Sequence, residues 1–211
     1  MHIDELLAGY YSGYFPMGDE NGKLEWYTSR NRAIFDKCHV HVSRSMASFI
    51  RKSEWQITYD RSFEQTIRNC LRRTSNWITE ELIEVYCEAF EMNLSHSCEV
   101  WDERENLIGG TYGLSIGKVF CAESMFHRKT NSSKLALIAL GYRCHELGYE
   151  LIDAQVMSDH LARLGAIPMS ENEYELTLQK FAYDANRIPL VNQQTFATSI
   201  EVKTSNFSAF S

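Results

Sequence analysis

The chain has 211 residues, of which 44% are hydrophobic and 23% charged, and its formal net charge is −7. This composition is ordinary for a globular protein with a sizeable core, and no apolar run approaches the roughly 20 residues that a membrane-spanning helix needs. Because the acidic start Met1–Leu7 also lacks the basic segment of a signal peptide, we expect a cytoplasmic protein.

The first predicted elements form a small N-terminal unit. Glu5–Tyr11 is typical of a helix, Tyr14–Gly18 of an aromatic turn and Leu24–Tyr27 of a short strand. A domain boundary is predicted near Arg30–Ala33. We therefore expect a small N-terminal subdomain over residues 1–32, a main domain over 33–181 and a C-terminal extension of uncertain structure over 182–211.

Charge is unevenly distributed along the chain. Residues 30–73 contain ten Lys or Arg against four acidic residues, a local net charge of +6, which leaves −13 for the remainder. Such an asymmetry favours a polyanion bound at one end of the molecule. Arg61, Gln65, Arg68 and Arg72 recur at helical spacing and would share one face of a helix, although a solvated surface helix without a ligand has the same pattern.

Helix and strand patterns alternate over the rest of the chain. The predicted strands are Val40–Ser43, Gln56–Tyr59, Ser97–Trp101, Leu107–Ile116 and Lys118–Phe126, and the predicted helices are Ser45–Lys52, Asn131–Gly148, Ser158–Gly165, Glu171–Phe181 and one that Thr79 caps. The three strands between Ser97 and Phe126 are separated by short turns, which indicates an antiparallel meander.

Polar residues interrupt two apolar runs, Phe120–Phe126 and Leu151–Gln155, that are typical of buried strands. Strand alternation predicts that Cys121, Glu123 and Met125 lie on one face of the first strand, and that Asp153 and Gln155 lie together on one face of the second. The intervening residues 127–148 suit a helical crossover between parallel neighbours. Two carboxylates and an amide would then meet in one crevice. Because an unpaired buried charge is costly, polar residues at such positions indicate a function, and this crevice is the predicted reaction site.

Cysteine and histidine residues give little reason to expect a metal or a disulfide framework. The six cysteines are widely spaced and contain no Cys-x-x-Cys pair. His39 and His41 alternate with apolar residues, and no second ligand pair at zinc spacing follows Cys38. We expect reduced, mostly buried thiols and no bound metal.

The order of the predicted elements resembles the acetyltransferase-like (GNAT-like) superfold, an α+β fold with a mixed sheet, in which two strands part and hold an acyl donor. A closer resemblance rests on eight short motifs that occur in order. They are Tyr14–Met17, Trp77–Thr79, His96–Trp101, Gly109–Gly113, Glu123–Phe126, Asn131–Lys134, Leu151–Gln155 and His160–Ala166. Together they resemble the leucyl/phenylalanyl-tRNA–protein transferase family over roughly residues 3–170.

The resemblance implies transfer of leucine or phenylalanine, with methionine as a further candidate, from aminoacyl-tRNA to the N-terminal Lys or Arg of acceptor proteins. This reaction forms a peptide bond, marks the acceptor for N-degron degradation and needs no cofactor. The implied enzyme is a monomer that binds no membrane. By the matching motifs, the catalytic residues are Glu123, Asp153 and Gln155, the aminoacyl and adenosine contacts are Tyr10, Trp77, Phe120, Met125 and Thr111, and the acceptor-stem contacts are Arg44, Arg51, Lys52, Arg68, Arg72 and Arg73.

The chain also departs from the family pattern. Met17 stands where many members have Trp, and Thr111 stands where an apolar residue is frequent. Two alternatives stay open. One is a CoA-dependent N-acetyltransferase, although residues 127–134 lack the Gly-rich loop that holds pyrophosphate in that superfamily. The other is a non-catalytic relative that binds tRNA or peptide N-termini.

Overall fold

A computed structural model describes residues 1–19, 21–71, 78–183, 196 and 202–203. Its helices are α1 (Ile3–Tyr11), α2 (Arg44–Lys52), α3 (Phe63–Cys70), α4 (Glu80–Glu91), α5 (Ser132–Glu146), α6 (Asp159–Arg163) and α7 (Glu171–Phe181). Its strands are β1 (Phe15–Gly18), β2 (Leu24–Tyr27), β3 (Asn31–Asp36), β4 (Gln56–Tyr59), β5 (Ser95–Trp101), β6 (Leu107–Ile116), β7 (Val119–His127), β8 (Leu151–Val156), β9 (Ile167–Ser170) and β10 (Val202–Lys203). The predicted contacts Arg72, Arg73 and Trp77 and most of the C-terminal extension lie outside the described residues.

A mixed sheet organises the fold. Within the described chain the large sheet has eight strands in the order β10-β4-β5-β6-β7-β8-β3-β9, while β1 and β2 form a separate hairpin. Strand β7 pairs with β8 in parallel, and the remaining pairs of the large sheet that the structure describes are antiparallel. The predicted mixed α+β architecture and the helical crossover from β7 to β8 are therefore confirmed.

Two hydrophobic clusters cover the two faces of the sheet. The first core cluster brings together α1, α3, α4 and α7, with members that include Leu6, Ile67, Tyr86, Tyr112 and Leu178. The second core cluster brings together α2 and α5, with members that include Ile50, Phe120, Leu137, Leu140 and Ile152. Consecutive strand residues alternate between the clusters, as a strand buried on both faces requires. Helix α5 is buried along most of its length because it packs across the sheet.

The local structure differs from the sequence predictions in several places. Residues 40–43 form no strand, whereas Asn31–Asp36, for which the sequence predicted no strand, forms the buried strand β3. Strand β3 lies between β8 and β9, and that contact with non-local partners leaves no local signature. Strand β9 was also missed, because Ile167–Ser170 is short and largely exposed.

The described chain has no helix that combines the length and the apolar character needed to cross a bilayer. None of the six cysteines takes part in a disulfide, and all except the half-buried Cys87 are buried.

Candidate active site

Strands β7 and β8 pair over a short stretch and then part. Their parallel register joins Val119 to Leu151, Phe120 to Ile152 and Cys121 to Asp153, and described pairing ends there although both strands continue. Glu123 and Gln155 therefore lie in the stretch beyond the last pair. This interruption creates a gap inside the sheet.

Local irregularities explain the gap. On β7, Glu123 is the extra residue of a β-bulge, because Tyr112 pairs with Ser124 and Gly113 pairs with Ala122. On β8, Gln155 has a positive φ of 61°, and the register with β3 shifts at the same point. Bulges of this kind bend a strand and re-aim its side chains. Each strand therefore turns at the residue that the sequence analysis placed in the reaction centre.

Glu123 and Gln155 meet across the gap. The Gln155 Nε2 donates a hydrogen bond of 2.8 Å to the Glu123 Oε1, and both side chains are more than nine-tenths buried. The second carboxylate oxygen, Oε2, accepts no hydrogen bond of normal geometry from the described residues. A buried carboxylate oxygen without a donor is costly and is available to an incoming N–H group.

The surroundings of Glu123 favour its neutral form. Burial raises the pKa of Glu123 to about 7, although the Tyr10 hydroxyl and the Gln155 amide favour the charged form. The Tyr10 and Tyr86 hydroxyls lie 2.5 Å apart beside this carboxylate, and burial raises the pKa of each of them as well. The carboxylate is thus poised to change charge near neutral pH.

Asp153 completes the cluster but is surrounded by protein donors. It is fully buried, and its Oδ2 accepts hydrogen bonds from Arg32 Nη1 at 2.6 Å and from the Tyr174 hydroxyl at 2.7 Å. Its Oδ1 accepts the Gln155 backbone N–H at 2.8 Å. The structure brings the three predicted residues together, because Gln155 donates hydrogen bonds to both Glu123 and Asp153. Sequence reasoning missed Arg32, Tyr174 and Tyr86.

The other predicted aminoacyl contacts have diverse surroundings. Tyr10 is buried beside Glu123, and Phe120 is buried in the second core cluster, where its ring centroid lies 5.6 Å from that of Phe196. Thr111 donates a hydrogen bond to the Ser124 carbonyl. The prediction that Met125 shares a face with Cys121 was wrong, because the bulge reverses the alternation and packs Met125 against the second core cluster.

The cationic residues of segment 30–73 do not form one surface. Arg44, Arg51 and Lys52 are exposed on α2, which packs on the second core cluster. Arg68 lies on α3, against the first core cluster, and pairs with Glu64 at 2.8 Å and Glu80 at 2.7 Å. The predicted acceptor-stem contacts that the structure describes therefore lie on two opposite faces of the sheet.

A basic cavity adjoins the start of α2. Its volume is about 380 Å³, and its lining includes His41, Lys134, His160 and Arg163. No carboxylate contributes to this lining in the described part of the chain. The cavity and the exposed cations of α2 together form a basic region on the α2 side of the sheet.

A larger cavity lies behind Asp153. Its volume is about 590 Å³, and Arg32 and Tyr174, the two side-chain partners of Asp153, are part of its wall. Glu171 and Glu175 also line it. The predicted catalytic residues Glu123, Asp153 and Gln155 are not among the residues that line it.

Comparisons with known proteins place the chain near one family. The profile of a family described as leucyl/phenylalanyl-tRNA protein transferase matches residues 34–179, and the profile of its N-terminal domain matches residues 1–30. A leucyl/phenylalanyl-tRNA–protein transferase from Shewanella baltica is 44% identical over 167 residues, which cover 77% of this chain and 70% of the relative. One from Shewanella sediminis is 39% identical over 185 residues, which cover 86% of this chain and 78% of the relative.

Similarity to solved structures is lower. A conserved protein of unknown function from Bacteroides thetaiotaomicron superposes with a TM-score of 0.48 at 10% identity, over 72% of this chain and 57% of the other. L-PGS from Bacillus licheniformis superposes with a TM-score of 0.42 at 12% identity, over 76% and 55%.

Proposed function

The chain belongs to the leucyl/phenylalanyl-tRNA protein transferase family, and we propose that the gap between β7 and β8 is where the aminoacyl group passes from tRNA to the acceptor protein. Transfer of an aminoacyl group from tRNA to a protein follows from this membership, as does the N-degron role of the product. The observation that supports the location is the Gln155–Glu123 hydrogen bond across the parted strands, with a second buried carboxylate oxygen that accepts no hydrogen bond of normal geometry from the described residues. A gap of this kind also fits an acetyltransferase-like sheet.

The reaction depends more on the alignment of the amine with the ester than on strong acid–base catalysis. An aminoacyl ester is already activated, and an α-amino group with a pKa of about 8 is partly neutral at pH 7. Holding amine and ester in attacking geometry can therefore supply much of the rate enhancement.

Gln155 and Glu123 would share the handling of the amine. The Gln155 Nε2 already donates to Glu123, so its amide oxygen is the atom left to accept an N–H of the attacking amine. The Glu123 Oε2 would accept a further N–H and stabilise the positive charge that develops on nitrogen. Phe120, Met125 and Thr111 are proposed to surround the side chain of the donor amino acid, and Tyr10 to lie near the terminal adenosine.

Glu123 should give transfer a pH dependence. Its pKa of about 7 exceeds the ordinary carboxyl value, so the carboxylate is lost as pH falls below 7, and kcat/KM for the acceptor should fall with it. In Glu123→Gln the inflection of the pH profile near pH 7 should disappear. The inflection that remains should be that of the acceptor amine, whose pKa is about 8. Rates measured from pH 5.5 to 9 test this, and an unchanged profile in Glu123→Gln contradicts the role of Glu123.

The tRNA is proposed to approach on the α2 side of the sheet, where Arg44, Arg51 and Lys52 are exposed on α2 and the basic cavity adjoins the start of the same helix. In Arg51→Gln/Lys52→Gln, KM for aminoacyl-tRNA should rise, and the slope of log KM against log salt should fall by about 2, with kcat preserved. The matched control is Lys118→Gln/Lys180→Gln, which removes two exposed cations elsewhere. Equal effects of the two pairs would argue against this surface.

The acceptor is proposed to carry an N-terminal Lys or Arg. This choice follows the resemblance to the family. Glu171 and Glu175 in the cavity behind Asp153 would match the charge of a basic side chain, although the gap residues do not line that cavity.

Label transfer tests the proposed function. The purified protein is incubated with labelled Leu-tRNA and a peptide that begins with Arg, without ATP or added metal. Label on this peptide, and not on its N-acetylated counterpart, supports the proposal. Label on neither, or consumption of acetyl-CoA in its place, contradicts it.

A further inference from the structure

Arg32 is the bulkiest fully buried side chain of the described residues. Its guanidinium lies 4.1 Å from the ring centroid of Tyr174 and 5.2 Å from that of Phe15. Its Nη1 donates to Asp153 and its Nη2 to the Gly13 carbonyl. Burial of an arginine costs much free energy unless its charge is paired and its N–H groups have acceptors. Here the charge is paired with Asp153, and both Nη1 and Nη2 have an acceptor.

Tyr174 holds the same carboxylate from another element. It lies on α7, is almost fully buried, and donates its hydroxyl to the Asp153 oxygen that Arg32 also contacts. One oxygen of Asp153 is thereby fixed by two donors from α7 and β3. Its other oxygen is directed to the backbone N–H of Gln155.

That N–H belongs to a residue in an unfavourable backbone conformation. Gln155 has φ 61°, in the left-handed region that costs free energy for residues other than glycine. An Asp side chain that accepts the N–H two residues ahead stabilises such a turn. The same turn ends the pairing with β7 and brings the Gln155 amide to Glu123.

From this chain of contacts we infer that Arg32 and Tyr174 are positioning residues for aminoacyl transfer. Both act through Asp153. They fix its Oδ2, so that its Oδ1 stays in place to accept the Gln155 N–H and maintain the turn. This inference rests on the proposed function of Gln155. Asp153 then serves as a fixed support, and no proton needs to reach it during the reaction.

Tyr174→Phe tests the inference because it removes the hydroxyl and keeps the ring beside Arg32. Loss of one hydrogen bond to a charged group should lower kcat about tenfold and leave KM for Leu-tRNA unchanged. In a Gln155→Ala background, the same substitution should lower kcat no further, because its effect passes through Gln155. Tyr59→Phe is the matched control, since it removes a buried hydroxyl that donates to the Ala139 carbonyl on the other face of the sheet.

A readout independent of activity separates this inference from the proposed function. Amide exchange at Gln155 should be faster in Tyr174→Phe than in the wild type or Tyr59→Phe. Arg32→Lys, which retains the charge but loses the fork, should speed this exchange as well. If wild-type protein fails to transfer label, the proposed function is wrong whatever the exchange shows. Unchanged exchange at Gln155, or an equal loss of kcat in both Gln155 backgrounds, overturns the positioning role.

Discussion

Replacing Gln155 by alanine is expected to lower the rate of aminoacyl transfer by about 10²-fold or more, because the substitution removes the group that aligns the attacking amine. The loss should appear in kcat under single-turnover conditions at saturating tRNA. The side chain of Gln155 holds no described hydrogen bond other than that to Glu123, so the fold should tolerate its loss.

Asn21→Ala is the control for that experiment. Asn21 carries an exposed amide in the turn between β1 and β2 and has no proposed role in the reaction. Its transfer rate should equal that of the wild type. Near-normal turnover by a folded Gln155→Ala protein would remove Gln155 from the reaction centre.

Replacing Arg32 by leucine is expected to destabilise the protein by about 3–5 kcal/mol, since removal of one partner of a buried ion pair leaves an uncompensated charge. The charge left behind is that of Asp153, which is fully buried. The free energy of unfolding, measured in urea, checks this expectation.

A double replacement separates stability from activity. Arg32→Leu/Asp153→Leu removes both charges and should recover much of the lost stability, as apolar replacements of buried ion pairs often do. It should remain inactive, because the support for Gln155 is gone. Lys23→Leu, which breaks the exposed pair of Lys23 with Glu25, should cost at most about 1 kcal/mol. A loss of that small size in Arg32→Leu would contradict the account of the buried pair.

The candidate reaction centre could be proposed from the sequence because its signals are local. Carboxylates and an amide inside apolar runs are visible in the residues themselves, and the length of the segment between the runs indicates a parallel pair. The positions of Glu123, Asp153 and Gln155 followed from these two observations. Their mutual contacts needed no information about the rest of the fold.

The support of the centre depends on contacts that are distant in sequence. Arg32 is one of ten cations in a basic segment, and its partner becomes evident only once β3 is seen beside β8. Tyr174 reaches Asp153 from α7 for the same reason. Sequence patterns predict which residues are buried, but not which strand is inserted beside another.

Two further differences from the sequence predictions have physical causes of the same kind. The bulge at Glu123 reverses the alternation of β7, and a single extra residue of this sort leaves no periodic signal. The summed charge of segment 30–73 also does not show on which face of the sheet each side chain lies. Arg51 and Arg68 were both assigned to the acceptor stem, although α2 and α3 lie on opposite faces of the sheet.

The most direct measurement is a crystal structure with a leucyl-amide analogue of the 3′-terminal adenosine of tRNA. The carbonyl of this analogue is expected to lie between Glu123 and Gln155, and its leucyl side chain is expected to contact Phe120. An analogue bound outside the gap, with the Glu123–Gln155 hydrogen bond undisturbed, would contradict this expectation.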